Sequence, residues 1–393
     1  MANMLHYDGR RKTYRMIYTL RHFDTPLVRF SAEHGAETAI RILWVDENHQ
    51  GLMPLEFHRQ VDAERLEAWL RHRTIPRNRA YVDAILASQG LSLNRPMDVI
   101  RLSKGLSLND CYWVTEDGFN GTFRQFNLFE NKFSRVLGEI AFTGYGSGNS
   151  SRISSSPEFT TNGMLPKCWR RQDGVIRLYK GGTEGASNTG NEPYAELYAF
   201  QIAKMLGFNA VSYSLAKWKG RLCSCCDLFT SKDLSFIPVG RLLPKGGLPA
   251  IRQHCETLGH AFTAALDEMI VFDAVICNTD RHFGNFGFLV DSHTNQILAP
   301  APLFDHGNSL FSLAPLDAFK SLPALRKYAK TLLPRVYDDF IQEAQAVITH
   351  TQRNALRKLL DFRFQRHPRY NWDHRRLAMV EQMVAERARE ILG

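Results

Sequence analysis

Long apolar runs are missing from this sequence. The first apolar stretch, residues 16–20, is short and flanked by Arg15 and Arg21, so it does not read as a secretory signal. The most apolar helical stretch, residues 261–277, is interrupted by Asp267, Glu268 and Asp273, which excludes a membrane span. A cysteine framework is missing too. Seven cysteines, an odd number without a pattern of spacings, fit a reducing cytoplasm better than secretion. The run "CSCC" (Cys223, Cys225, Cys226) has no second C-x-x-C to complete a tetrahedral zinc site, with His254 and Cys255 the nearest other ligands, so it reads as partly buried thiols. No internal repeat of solenoid length appears. Nor do aromatic and basic residues interleave as a groove for single-stranded nucleic acid requires, so direct nucleic-acid binding is not expected.

What is present is an ordinary globular composition: 393 residues, 44% hydrophobic and 23% charged. That length suggests roughly two or three domains with a substantial core. The net charge of +9 sits at the ends. Residues 1–30 hold six Lys/Arg against two Asp/Glu, and residues 353–393 hold ten against five. Such ends can meet an acidic partner, but they read first as solvated faces.

Short apolar runs such as "TPLVRF" and "AIRILWV" in residues 14–56 predict a small β element. From about 60 to 140 the pattern is mostly helical, with "DAERLEAWLRHR" the clearest amphipathic stretch. Residues 142–163, "FTGYGSGNSSRISSSPEFTTNG", form either a linker or a loop that wraps a ligand. Next comes "GVIRLYK", a strand on which Ile176, Leu178 and Lys180 share one face. A Gly-rich stretch then leads into a helix over "YAELYAFQIAKMLG", where Glu196 lies beside the apolar stripe and can reach inward. Further strands are expected in 209–241. A strand pair over "FGFLVD" and "NQILAPAPLFD" follows an apolar helix and the loop "NTDRHFGN". The amphipathic C-terminal stretch "RLAMVEQMVAERAREIL" reads as core packing.

Taken singly, each polar feature has a plain reading: a surface lysine, a turn, a helix cap. Their order is more specific. A loop of small residues, Lys180 at a strand end, Glu196 on a helix, then Asp280, Asn285 and Asp305, is the order of phosphoryl-transfer machinery in protein kinases. Lys180 would supply positive charge to the α- and β-phosphates, with Glu196 holding it. Asp280 would orient the attacking hydroxyl, and Asn285 and Asp305 offer the oxygen ligands that Mg²⁺ requires. Asp273, between Phe272 and Ala274, is expected to support the loop's backbone, since an unpaired buried carboxylate is costly. His282 is expected to prop Asp280 or Asp305 by hydrogen bonds rather than to exchange protons. Arg281 either pairs with a carboxylate or a phosphorylated loop, or faces solvent.

The loop Asn278-Thr279-Asp280-Arg281-His282-Phe283-Gly284-Asn285, followed by Leu298-Ala299-Pro300 and "PLFD", resembles the bacterial HipA-like serine/threonine kinases, whose loop reads NxDxHxxN and whose metal aspartate follows LAP. Phosphatidylinositol kinases carry a more distantly similar DRHxxN loop. The resemblance covers about 150–393 and is loose before residue 145. It implies Asp280 as the catalytic residue, Asn285 and Asp305 as metal ligands, Lys180 as the ATP-contacting lysine, and Glu196 as the family's helix glutamate. In the family the Ser-rich loop carries an autophosphorylated serine, here Ser154, Ser155 or Ser156. Here there is no G-x-G-x-x-G. Candidate nucleotide contacts are Leu178, Ser156, Thr160, Thr161, Asn162, Gly163 and Lys167, the last equally readable as a surface lysine.

The expectation is therefore an α+β, two-lobed protein kinase-like fold: an accessory domain at 1–145, a small lobe at 146–236 and a helical lobe at 237–393. ATP with Mg²⁺, or Mn²⁺ in its place, would be the cofactors, with adenine near Leu178 and residues 228–230. The acceptor would be a protein serine or threonine. The resemblance implies a DNA-binding antitoxin partner, or a role as an effector secreted without a signal peptide. The rival readings are AMP transfer, a lipid or small-molecule kinase, a pseudokinase, and a nucleic-acid-binding regulator.

Overall fold

The computed structural model describes residues 5–8, 11–33, 39–58, 60–146, 156–185 and 188–393. Ser154 and Ser155 lie outside them. Contacts divide the chain into two compact units: Met1–Leu178 with Leu228–Phe236 and Leu289–Leu298, and Tyr179–Asp227 with Ile237–Phe288 and Ala299–Gly393. The chain passes from the first unit to the second at 236/237. No boundary falls at 145/146, because Phe159 packs with Leu137 and Ile140 of the preceding helix in one core cluster.

The first unit holds an antiparallel sheet of β1 (Leu5–Asp8), β2 (Arg11–His22), β3 (Thr25–Glu33) and β4 (Ile40–Val45) in chain order. A strand that the helical reading of 60–140 passes over, β5 (Tyr112–Glu116), pairs with β2 in the register Leu20↔Val114. The reason it was overlooked is physical: four of its five residues are buried in a row, so it lacks the alternation that marks a half-buried strand. Tyr18, Leu20 and Phe30 from this sheet pack with Leu66 and Trp69. Those two come from the helix Ala63–Arg71, which Asp62 caps by accepting the Arg65 N–H at 2.8 Å. A second strand not expected from sequence, β6 (Lys167–Gln172), neighbours β7 (Val175–Gly181).

The chain enters the second unit within β7, between Leu178 and Tyr179. There the end of β7 lies beside β9 (Arg221–Asp227), which pairs antiparallel with β8 (Ser214–Trp218). The strands β10 (Leu234–Pro238), β11 (Gly287–Asp291) and β12 (Ile297–Pro300) form a third sheet in that order, and each has a part in either unit. The helix Glu192–Leu206 ends at Gly207, whose φ of 77° is the left-handed conformation that suits glycine at a helix stop. The helix His260–Ile276 is buried continuously from Met269 to Ile276, so it runs through a core rather than over a surface. The C-terminal helix His374–Leu392 buries Leu377, Val380, Met383, Val384 and Ile391, as its amphipathic pattern requires. Among the described residues no helix is long and apolar enough to cross a membrane.

Candidate active site

Five of the residues singled out by their order in sequence lie within the second unit, and three of them, Lys180, Glu196 and Asp305, are in contact. Lys180, at the end of β7, is buried, and its Nζ donates to Glu196 Oε1 at 2.8 Å and to Asp305 Oδ1. Glu196 is fully buried on the helix Glu192–Leu206, and its Oε2 accepts the His306 N–H at 2.8 Å. One carboxylate therefore fixes both the lysine and the backbone that follows Asp305. Gly307 permits this closeness: a Cβ there would lie 3.2 Å from Glu192 Cβ and 3.6 Å from Glu196 Oε1. Burial alone would depress the Lys180 pKa, but Asp305 and Glu196 outweigh it and hold the ammonium's pKa above its usual range. The lysine stays charged. Asp305 has a φ of 60°, and its N–H donates to the Tyr213 hydroxyl at 3.1 Å.

Asp280 and Asn285 stand on the loop after the helix His260–Ile276, which Cys277 ends in a left-handed conformation. The loop is tied down at several points. Asn278 donates to Asp273 Oδ1 at 3.0 Å and accepts the Asp280 N–H at 3.1 Å. The Asn285 N–H donates to the His282 carbonyl at 2.8 Å, and Gly240 N–H to the Phe283 carbonyl at 2.8 Å. Asp280 Oδ2 accepts from Asn308 Nδ2 at 3.2 Å, and its Oδ1 accepts from Arg335.

Arg281 takes the first of the two roles the sequence left open. It is 1% exposed, and its guanidinium meets both oxygens of Asp273, at 2.8 and 2.9 Å. It also donates to the carbonyls of Asn285 at 3.0 Å and Phe304 at 2.8 Å, and lies 3.3 Å from His306 Nδ1. One buried ion pair thus clamps the segment that carries Asp280 and Asn285 to the segment that carries Asp305. The support expected of Asp273 is corrected in its manner: its carboxylate reaches the loop through the side chains of Arg281 and Asn278, not through loop backbone. His282 also differs from expectation. Its Nδ1 accepts the Gly284 N–H at 3.0 Å, so it shapes its own turn instead of propping Asp280 or Asp305.

The candidate nucleotide contacts from the loop belong to the first unit. Lys167 is buried there, with Nζ donating to the Asn162 carbonyl at 2.9 Å, so the surface-lysine reading is corrected. Gly163, with a φ of 91°, leaves room for that ammonium, which a Cβ would meet at 2.2 Å. Thr160 Oγ1 donates to the Leu106 carbonyl at 2.8 Å and Thr161 Oγ1 to the Pro157 carbonyl at 2.7 Å. Ser156 is buried, and its hydroxyl has no partner among the described residues. Leu178 is half-buried. The three cysteines of "CSCC" form no disulfide; Cys223 and Cys225 are buried, Cys226 is half-buried, and Cys223 Sγ donates to the Ala216 carbonyl at 3.4 Å.

Arg335 and Asn308, which touch both oxygens of Asp280, were not singled out from sequence. Asn308 had a local signal, standing three residues after Asp305 in "FDHGNSL". Arg335 had none.

A lysine held between a helix glutamate and a loop aspartate, beside an Asp–Asn loop, on an α+β frame, is the arrangement of the kinase-like folds. Likeness over the whole chain to a solved structure shows the fold. HipA of Shewanella oneidensis MR-1, solved with HipB and operator DNA as a toxin–antitoxin system, is 13% identical, with a TM-score of 0.53 over 96% of this chain and 97% of that one. The proinflammatory kinase CtkA of Helicobacter pylori is 17% identical, with a TM-score of 0.44 over 57% of this chain and 91% of its own. No family model matches the sequence, and no curated protein does. The chain has the HipA-like kinase fold.

Proposed function

We propose that this chain transfers the γ-phosphoryl group of ATP to a serine or threonine hydroxyl of a protein. The observation that carries the proposal is Lys180 held between Glu196 and Asp305, in the same unit as the clamped Asp280–Asn285 loop. A lysine so placed is charged and aimed without free rotation, which suits a polyphosphate. The oxygen donors fit Mg²⁺. Among the described residues no cluster of three or more His, Cys, Asp and Glu forms a cage, but Mg²⁺ needs only one or two carboxylates with phosphate and water. Asp305 and Asn285 would hold it, and Mn²⁺ could take its place. The metal would neutralise charge on the phosphates.

Asp280 acts as the base. The acceptor oxygen forms its bond to the γ-phosphorus as the bond to the β–γ bridging oxygen breaks toward ADP, and the acceptor's proton passes to Asp280. Ser156, and Ser154 or Ser155 beyond the described residues, are the proposed sites of self-phosphorylation. By analogy with the HipA complex, a DNA-binding antitoxin is the proposed partner, and cysteines that form no disulfide suit a cytoplasmic setting.

The test is intact mass after incubation with Mg·ATP, beside Asp280→Ala. Addition of phosphate to wild type alone supports the proposal. Addition of AMP, or phosphate in both proteins, overturns it.

A further inference from the structure

The chemistry proposed for Asp280 asks for a positive charge on the acceptor side of the transferred phosphoryl, where charge spreads over three equatorial oxygens. The loop from Asp280 to Asn285 does not offer one. Arg281 is spent on Asp273 and on the carbonyls of Asn285 and Phe304. His282 Nδ1 is engaged by Gly284. Lys180 is held between Glu196 and Asp305. The cation that does touch the candidate base comes from elsewhere in the chain. It is Arg335, on the connection between the helices Leu322–Ala329 and Phe340–Val347.

The connection is built to present that side chain. Tyr337, two residues on, is half-buried with its hydroxyl fully covered, and its ring lies 6.1 Å from Phe340 in an edge-on contact. Leu333, two residues before, is 65% exposed. Between an anchored and a free end, the Arg335 side chain is 57% exposed and ends on Oδ1 of Asp280. An ion pair so open to water holds weakly and yields to a competitor. That oxygen is also one that an incoming hydroxyl would seek, since Oδ2 already accepts from Asn308.

We propose that Arg335 is a catalytic residue of the phosphoryl transfer, an inference that rests on the function proposed above. At rest its guanidinium covers Asp280. When the acceptor hydroxyl takes Oδ1, the guanidinium turns to the equatorial oxygens of the γ-phosphoryl group and donates to them as the bridging oxygen departs with ADP. Arg335 exchanges no proton and forms no covalent bond. The arginine is supplied in cis, and its second task is to keep the base capped while no acceptor is bound.

The experiment compares wild type, Arg335→Ala and Arg335→Lys for ADP formation from Mg·ATP and for Mg·ADP affinity. Arg335→Ala is expected to lower kcat about 100-fold or more, with KM for ATP and Mg·ADP affinity within about twofold of wild type. Arg335→Lys is expected to recover part of the rate, and added guanidinium ion part of the rate of Arg335→Ala. Turnover in Arg335→Ala equal to or above wild type would mean the residue only blocks the site, and the inference falls. Loss of Mg·ADP affinity together with kcat would mean a structural role, with the same result. Wild type that binds Mg·ADP but forms no ADP also overturns it. Wild type that fails to bind Mg·ADP brings down the kinase function itself, a separate outcome.

Discussion

Replacing Asp273 with alanine is the sharpest probe of the clamp. The change leaves Arg281, 1% exposed, without its counter-ion, and strips Asn278 of the carboxylate that receives its amide. Two carbonyl acceptors remain, so the guanidinium keeps some hydrogen bonding but no compensating charge. Breaking a buried pair from one side costs about 3–5 kcal/mol. In a unit of roughly 200 residues, each kcal/mol lowers the melting temperature by about 2–4 °C, so a fall on the order of 10 °C is expected. The informative companion is the double variant Asp273→Leu, Arg281→Met, which removes both charges and restores apolar volume. It should recover most of the lost stability, because the desolvation cost disappears with the pair. It should not recover turnover, because nothing then ties the carbonyl of Asn285 to that of Phe304. Thermal melts followed by tryptophan fluorescence, together with an Mg·ATP turnover assay, separate the two effects. A double variant that is stable and fully active would refute the clamp's role in aligning the two loops.

Two further outcomes follow from particular side chains. Asp305→Asn should abolish Mg²⁺-dependent turnover while leaving the melting temperature within a few degrees, because asparagine tolerates the left-handed φ of 60° at that position; a large loss of stability would show that the charge of Asp305 mainly supports the fold. In the first unit, burial lowers the His22 pKa to about 4, from 6.5 when unfolded. The unfolded chain thus gains a proton first as pH falls, so the stabilisation is complete above about pH 6.5 and is lost progressively toward pH 4, by roughly 3 kcal/mol. Urea unfolding at pH 7 and pH 4.5 should show this loss in wild type and a smaller one in His22→Gln; equal losses would remove His22 as the cause.

Much of the candidate site was legible because its parts are local. Asp280, Asn285 and Asp305 fall within 26 residues of one another, and Lys180 and Glu196 are 16 apart, each on an element whose periodicity is plain. What could not be read depends on distance. Arg335 reaches Asp280 across 55 residues, from a connection with no periodicity of its own. The fate of Arg281 was undecidable from sequence because an arginine after a candidate catalytic aspartate looks the same whether exposed or paired; only the packing of the helix His260–Ile276 brings Asp273 beneath it. In the fold, strands that alternate were found, whereas β5, buried on both faces, was taken for helix.

The way the first unit is stitched together has a consequence for synthesis. Its sheet begins near the N-terminus, yet Leu289–Leu298 also belongs to it, and the Tyr112 hydroxyl meets Asn295 across 183 residues at 3.1 Å. A ribosome making this chain must therefore release the whole candidate catalytic loop before the first unit can close. Any N-terminal fragment ending before residue 289 lacks part of that unit, however well its early strands pair. The first unit is thus finished late, and the loop-closure entropy of that long contact must be offset before it has its full set of strands.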